Sequence, residues 1–387
     1  MRGAVVLLAW GAAACGGNPA TPAATAEPGQ PIPGLGAADL GRFEAGKTLF
    51  NTVFTEDRGL GPTFNENQCS ACHTFPESGG FGGERVLKAS RDDGGACDAL
   101  EGAGGANIRR KVTNRGREAG VPVESVPEGA TPGRFTAPPL FGFGLLDAIR
   151  PDLLERLADP DDRDGDGISG RLGADAAGAL ARFGRKADVA TLAEFVASAA
   201  HLEMGLTSSA HPEDLAQGQP IDGSIDGVAG PELDGGSLAL LTDYVRFLAP
   251  TGRGPAPTAW TDAQVAAGEQ TFSAIGCAAC HVPSLVTGPA EPAALRRREV
   301  AFYSDFLLHD MGPVLADLCT PGAGPRELRT EPLMGLRLRE LLLHDGRTTD
   351  LRRAIELHDG EARAARDAFG GLGASAREAL LAFLRTL

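Results

Sequence analysis

Basic residues are in short supply in this 387-residue chain. It has 36 Lys and Arg against 51 Asp and Glu, for a formal net charge of −15. That deficit argues against nucleic acid as a partner, which calls for a basic face. Long apolar runs are also missing. The one candidate, Ala4 to Trp10, is too short to cross a bilayer as a mature helix. It follows Met1-Arg2 and precedes small residues up to Cys15, so residues 1–14 read as a secretory signal. Cys15 after Ala12-Ala13-Ala14 resembles a lipobox, although Ala12 stands where Leu is usual. The reading is a lipidated Cys15 that anchors the chain to a membrane, with signal cleavage nearby as the alternative. Strand-period alternation is sparse. Gly-rich and Pro-rich stretches predict short helices joined by long loops, hence a mainly α chain.

What is present is more specific. Cys69-Ser-Ala-Cys72-His73 and Cys277-Ala-Ala-Cys280-His281 repeat one pattern, Cys-x-x-Cys-His. Two thiols at this spacing add to the vinyl groups of a porphyrin, and the following His ligates the iron. A four-thiolate zinc site or a redox disulfide would also use Cys-x-x-Cys. Neither requires a His after the second Cys, and both copies have one. The expectation is two covalent c-type haems, with His73 and His281 on the irons, and a chain that moves electrons. Attachment of such haems outside the bacterial cytoplasm agrees with the signal, and predicts a periplasmic or cell-envelope protein. The acidic surface would suit a basic redox carrier. Of seven Cys, the haem thiols and Cys15 leave Cys97 and Cys319, whose pairing the sequence leaves open.

Residues 15–38 are rich in Pro, Ala, Gly and Thr and read as a flexible tether. Pro250 to Pro257 separates two segments, 39–250 and 258–387, each with one haem motif. Five blocks recur in them in the same order. Ala45-Gly46 with Phe50 matches Ala267-Gly268 with Phe272, and the two Cys-x-x-Cys-His motifs follow. Pro139-Leu140 with Gly142 matches Pro332-Leu333 with Gly335. Gly184-Arg185 and Leu192 match Gly346-Arg347 and Leu351. Tyr244-Val245-Arg246 matches Phe383-Leu384-Arg385. Such agreement predicts an internal duplication with two cytochrome c-like haem domains. The closing block reads as a helix with Leu380, Phe383, Leu384 and Leu387 on one face, capped by Ser375 and Glu378. Its counterpart holds Leu241, Tyr244, Val245 and Leu248.

The first copy carries an insertion with Asp162, Asp164, Asp166 and Gly167 in the D-x-D-x-D-G spacing of a calcium loop. The closing Glu of an EF-hand is missing, since Gly173 holds that place. A solvated acidic turn is the alternative.

The strings LFNTVFTEDRGLGPTFNENQCSACH, DRDGDGISGR, SDFLLHDMGPVLADL and PLMGLRLRELLLHDGRTTDLRRAIELHDGEA resemble the bacterial di-haem cytochrome c peroxidase superfamily. The likeness is to its di-haem oxidoreductase branch, labelled peroxidase or thiol oxidoreductase. The resemblance implies an oxidoreductase that cleaves hydrogen peroxide at the N-terminal haem and takes electrons through the C-terminal haem from a small cytochrome. It places a ligand of the C-terminal haem after His344-Asp345-Gly346, at His358, where the peroxidases have Met. It also points to Glu203, in the pair Glu203-Met204, as the catalytic acid–base.

Three departures stand against a peroxidase. Phe183-Gly184-Arg185-Lys186 lacks the Trp that the peroxidases set between the haems, and the chain's tryptophans are Trp10 and Trp260. Phe195 stands where they have Gln. His201 precedes Glu203 and offers itself as a ligand that would close the first iron. A pure electron-transfer di-haem cytochrome is therefore the alternative function. His309 and Met311 read as ligands or as packing beside the second haem, and His211 as a loop residue.

Overall fold

The computed structural model describes residues 20–103, 105–222, 225 and 227–387. The signal and Cys15 lie outside the described residues. The expected mainly α architecture is not what forms. Helix takes up 32% of the structure and strand 16%, a mixed α/β composition. The stretches read as loops pair with one another in short ladders, most of them two or three residues long. Backbone groups in buried loops need partners, and such ladders supply them.

Four helices dominate the two halves: α1 (Ala37–Phe50), α2 (Leu192–Met204), α3 (Gly235–Phe247) and α4 (Asp262–Ala274). Two shorter ones follow, α5 (Leu351–Glu356) and α6 (Arg363–Gly371), before the closing α7 (Ala374–Leu384). Helix α1 packs on α3, and α4 packs on α7. The recurring Ala-Gly blocks explain both crossings. A Cβ on Gly46 would stand 2.1 Å from the Leu240 carbonyl oxygen of α3. One on Gly268 would stand 2.0 Å from the Ala379 carbonyl oxygen of α7. Each glycine lets two backbones touch at the equivalent place.

The closing helices bury the expected faces. Leu241, Tyr244, Val245 and Leu248 lie in one core, and Leu380, Phe383, Leu384 and Leu387 in another. The Ser375–Glu378 capping box does not form. Gly373 caps α7 without a side chain, and Glu378 pairs with Arg352 at 2.7 Å. A true capping box starts α4 instead, between Thr261 and Gln264.

The longest ladder joins β1 (Arg85–Asp92) to β3 (Thr131–Thr136), antiparallel, with Arg85 opposite Thr136. The short β2 (Cys97–Asp98) pairs with the far end of β1. Cys97 forms a disulfide with Cys319, 222 residues away, which ties the first half to the second. A smaller antiparallel pair, β4 (Leu308–Asp310) and β5 (Glu327–Arg329), sits in the second half.

Much of the segment read as a tether is docked. Thr21–Pro22 pairs in parallel with Arg298–Glu299, and Ile32 is buried, its amide donating to the Phe247 carbonyl. Backbone pairing holds this Pro-rich stretch where composition promised little. Among the described residues no helix is long and apolar enough to cross a membrane.

Candidate functional site

The two Cys-x-x-Cys-His segments each follow the helix that carries the Ala-Gly block. In the second, Cys277, Cys280 and His281 line a cavity of about 380 Å³, and His358, Ile355, Leu336, Leu342, Leu380 and Leu384 also face it. That volume falls within the roughly 300–1,000 Å³ of small-molecule sites. His358 follows the C-terminal end of α5. His281 Nδ1 donates to the Tyr303 carbonyl at 3.0 Å, and His358 Nδ1 donates to the Ala354 carbonyl at 2.8 Å. A carbonyl can only accept, so the proton is on Nδ1 and Nε2 carries a free lone pair. That tautomer, fixed by a backbone carbonyl, is the one an iron-ligating imidazole needs. Burial and the neighbouring His358 hold His281 down to about 4, and burial lowers His358 as well. Both rings are therefore neutral at pH 7. Thiols, imidazoles and apolar walls together fit a haem.

The first segment has the same local chemistry. His73 Nδ1 donates to the Gly80 carbonyl at 3.2 Å, and burial pushes the ring down to about 4. Here the chain folds tightly back on the motif. A Cβ on Gly82 would stand 1.8 Å from the Cys72 carbonyl oxygen. Phe50 lies beside His73, as Phe272 lies beside His281, with ring centroids 6.1 and 6.4 Å apart. Burial raises the thiols of Cys69, Cys72 and Cys277 to about 12. A redox disulfide of the thioredoxin type needs a lowered thiol, so that reading loses its chemistry. The zinc reading fails on geometry. Among the described residues, no group of converging ligand atoms takes thiols from both motifs.

Glu203 is the last residue but one of α2, with its carboxylate between two amides. Asn65 Nδ2 donates to one oxygen at 2.9 Å, and Asn107 Nδ2 donates to the other. The Asn65 amide N–H also donates to the Glu203 carbonyl at 2.7 Å. Burial raises the Glu203 carboxyl, against the pull of Asn65, Lys88 and Asn107. After burial, the charge of Glu203 is the largest influence raising the Cys72 thiol, so it stands near the first motif. His201, also on α2, is buried and held down to about 4 by burial, with Arg109 and His211 adding to the effect. Its Nδ1 has no partner, and its ring stacks on His211 at 5.1 Å. His211 in turn meets Glu194 at 3.0 Å.

His309 is not free to ligate. Nε2 faces Asp305 at 3.0 Å and Nδ1 faces Glu361 at 2.7 Å. Burial opposes its charge, but the hydrogen bonds to Asp305, Cys280 and Glu361 outweigh it and raise the group. Its ring lies 3.8 Å from Cys280 Sγ, so it borders the second site as a neighbour. Met311 lines the cavity and packs with Leu315, Leu328 and Leu357.

Asp162, Asp164 and Asp166 bring carboxylate oxygens within 4.8 Å of one another. Gly165 and Gly167 turn the loop at φ +73° and +84°. The loop then joins the second site. Ser169 donates to Glu361 through its amide and hydroxyl, and Glu361 holds His309.

Sequence reading missed the partners of Glu203, because Asn65 and Asn107 lie 138 and 96 residues away. It also missed Arg185, Arg329 and Arg339, which surround Glu331 on the cavity wall. Arg185 was legible only as part of a recurring block.

Comparison with known proteins bears on this geometry. The family model described as "Di-haem oxidoreductase, putative peroxidase" matches residues 126–387. No curated protein matches the sequence. Among solved structures, the chain resembles a MauG-like protein associated with microbial copper homeostasis at 16% identity and a TM-score of 0.41. That likeness covers 98% of this chain and 95% of the other. The diheme peroxidase BthA from Burkholderia thailandensis E264 gives the same identity and score over 92% and 86%. Hydrazine synthase from Kuenenia stuttgartiensis is 21% identical with a TM-score of 0.29, covering 40% of this chain and 55% of its own. These structural scores are low, and the assignment rests on the family match. It reaches from before β3 to the last residue and takes in the second motif, the acidic loop, Glu203 and His358, so the chain belongs to the di-haem oxidoreductase family.

Proposed function

We propose that this chain is an exported c-type di-haem oxidoreductase that reduces hydrogen peroxide at the N-terminal haem. Cys69 and Cys72 would hold that haem and His73 would ligate it. Cys277 and Cys280 would hold the second, and His281 and His358 would ligate its iron. The haems supply the iron that binds peroxide and the electrons that reduce it. Glu203 then moves a proton from the near oxygen of peroxide to the far one, so that the O–O bond breaks with water as the leaving group. Two electrons and two protons convert one peroxide to two waters. The electrons would come from a small redox carrier through the second haem.

One observation carries this reading. Glu203 is a carboxyl with a raised pKa, fixed by two amides near the first motif. A half-buried acid poised to hold a proton is what peroxide cleavage asks for. At the second site His358 would ligate the iron instead, and no carboxyl is assigned an acid's role there.

The Cys97–Cys319 disulfide supports an oxidising compartment, hence the periplasm or cell envelope. A lipid on Cys15 would add a membrane anchor. Calcium would sit on Asp162, Asp164 and Asp166, with further oxygen ligands from water or backbone. The internal repeat supports two haem units, 39–250 and 258–387.

A second reading has its own support. The buried His201 has an unpartnered Nδ1, and if it ligated the first iron the chain would only transfer electrons. Electron paramagnetic resonance of the oxidised protein separates the two. One high-spin iron that changes on adding peroxide is expected. Two low-spin irons that stay closed after partial reduction would leave electron transfer alone.

A further inference from the structure

The wall of the second cavity carries an excess of buried positive charge. Arg185, Arg329 and Arg339 all meet one carboxylate, Glu331. Their side chains are 11%, 2% and 6% exposed, and all four residues line the cavity. Each guanidinium keeps a buried nitrogen with no partner: Nε of Arg185, Nη1 of Arg329 and Nε of Arg339. Three cations against one anion leave two positive charges uncompensated in a dry place, which is unfavourable unless an anion arrives. Asp188 is near Arg329, but burial works against its charge by raising its carboxyl. Guanidinium groups present a planar fork that suits carboxylates.

We infer that Arg185, Arg329 and Arg339 form an anion subsite that binds the two propionate carboxylates on the edge of the second haem. The inference rests on the haem reading of this cavity. The match is in number as well as type, with two surplus cations for two carboxylates. It also has a consequence for topology. Arg185 belongs to the first half of the chain, and its amide oxygen accepts from the Arg329 amide of β5 at 2.9 Å. The first half therefore contributes a residue to the second cofactor's site. The carboxylates would then be held where Arg185 meets β5, at the junction of the halves.

Resonance Raman spectra of the purified haem-loaded protein test the inference, because the propionate bending band responds to hydrogen bonding at the carboxylates. Arg329→Gln and Arg339→Gln should each shift that band. Redox titration should show the second haem's potential falling while the first is unchanged, since removing a nearby cation favours the ferric form. Arg339→Lys keeps the charge and loses the fork. It should shift the band but move the potential little, and it serves should a glutamine variant fail to fold. An unchanged band in variants that retain two haems overturns the inference. So does a potential that responds to added sulfate while the band stays fixed, which would assign the arginines to a free anion. Fewer than two haems per unsubstituted chain would instead sink the cofactor reading, and this inference with it.

Discussion

Gly46→Ala and Gly41→Ala place the same substitution on one helix, α1, and should act in opposite directions. Both positions are helical, and alanine is favoured over glycine there by about 1 kcal/mol. At Gly41 a Cβ meets nothing within 4 Å, so the propensity gain stands alone. At Gly46 the Cβ would lie 2.1 Å from the Leu240 carbonyl oxygen and 2.9 Å from Tyr244 Cβ. Reaching even 3.0 Å requires α1 and α3 to part by about 1 Å, because the obstacle is backbone. Overpacking of this kind costs about 1–3 kcal/mol, and forced backbone movement puts it at the upper end. The net loss for Gly46→Ala is then about 2 kcal/mol, against a gain of up to about 1 kcal/mol for Gly41→Ala. Gly268→Ala should match Gly46→Ala, since its Cβ meets the Ala379 oxygen at 2.0 Å. It should also disturb the second haem's spectrum, because Phe272 of α4 and Leu380 and Leu384 of α7 line that cavity. Chemical denaturation of the haem-loaded protein reads all three. Gly46→Ala as stable as the parent would refute the close crossing, and with it the structural equivalence of the two Ala-Gly blocks.

Glu203→Gln should lower peroxide turnover by about 10²–10⁴-fold with both haems retained; near-normal turnover would remove Glu203 from the chemistry. His358→Met should raise the second haem's potential, because a thioether favours ferrous iron more than imidazole does; redox titration reads this, and an unchanged value counts against ligation. Calcium removal by a chelator should lower the melting temperature, with calcium at 100 times its Kd restoring about 2.7 kcal/mol; Asp164→Asn should abolish the response, and a chelator-insensitive parent would leave only a solvated turn. For His309, the folded-state pKa lies above the ordinary 6.5. Its stabilising contribution should therefore be complete below pH 6.5 and decline as pH rises above it. Measured from pH 5 to 9, the stability gap between the parent and His309→Gln should narrow at the alkaline end; a widening gap would mean that His309 is buried neutral.

Contiguity decided what could be read from the sequence. Cys-x-x-Cys-His is complete within five residues, so both motifs were legible, as were the helical faces around Leu241 and Leu380. The site's finer parts are not contiguous. Glu203 is held by amides from two distant loops, and the arginines on the cavity wall come from both halves of the chain. No periodicity marks such pairings. The fold class was misjudged for a related reason. Strands of two or three residues are too short to show alternation, and β1, at eight residues, packs only Ala89 and its neighbours into a small cluster with Leu100 and Ile108. The docked tether follows the same logic, because backbone hydrogen bonds leave no trace in composition.

If the two halves are copies of one unit, as proposed, helix length is what sets them apart. Counting from the matched Leu192 and Leu351, the place of His358 falls on Ala199 in the first copy. Helix α5 stops at Glu356, so His358 follows as a loop residue whose Nδ1 turns back to the Ala354 carbonyl. Helix α2 continues to Met204, and position 199 remains inside it. About two extra turns put an alanine where the second half has an imidazole, and carry His201 and Glu203 beyond it. Asn65 and Asn107 then draw Glu203 to their side. His201, two residues earlier, turns instead to His211. On the proposed reading, a helix longer by about two turns would remove the ligand position from the first half and bring Glu203 toward the haem site instead, with the Cys-x-x-Cys-His motif unchanged.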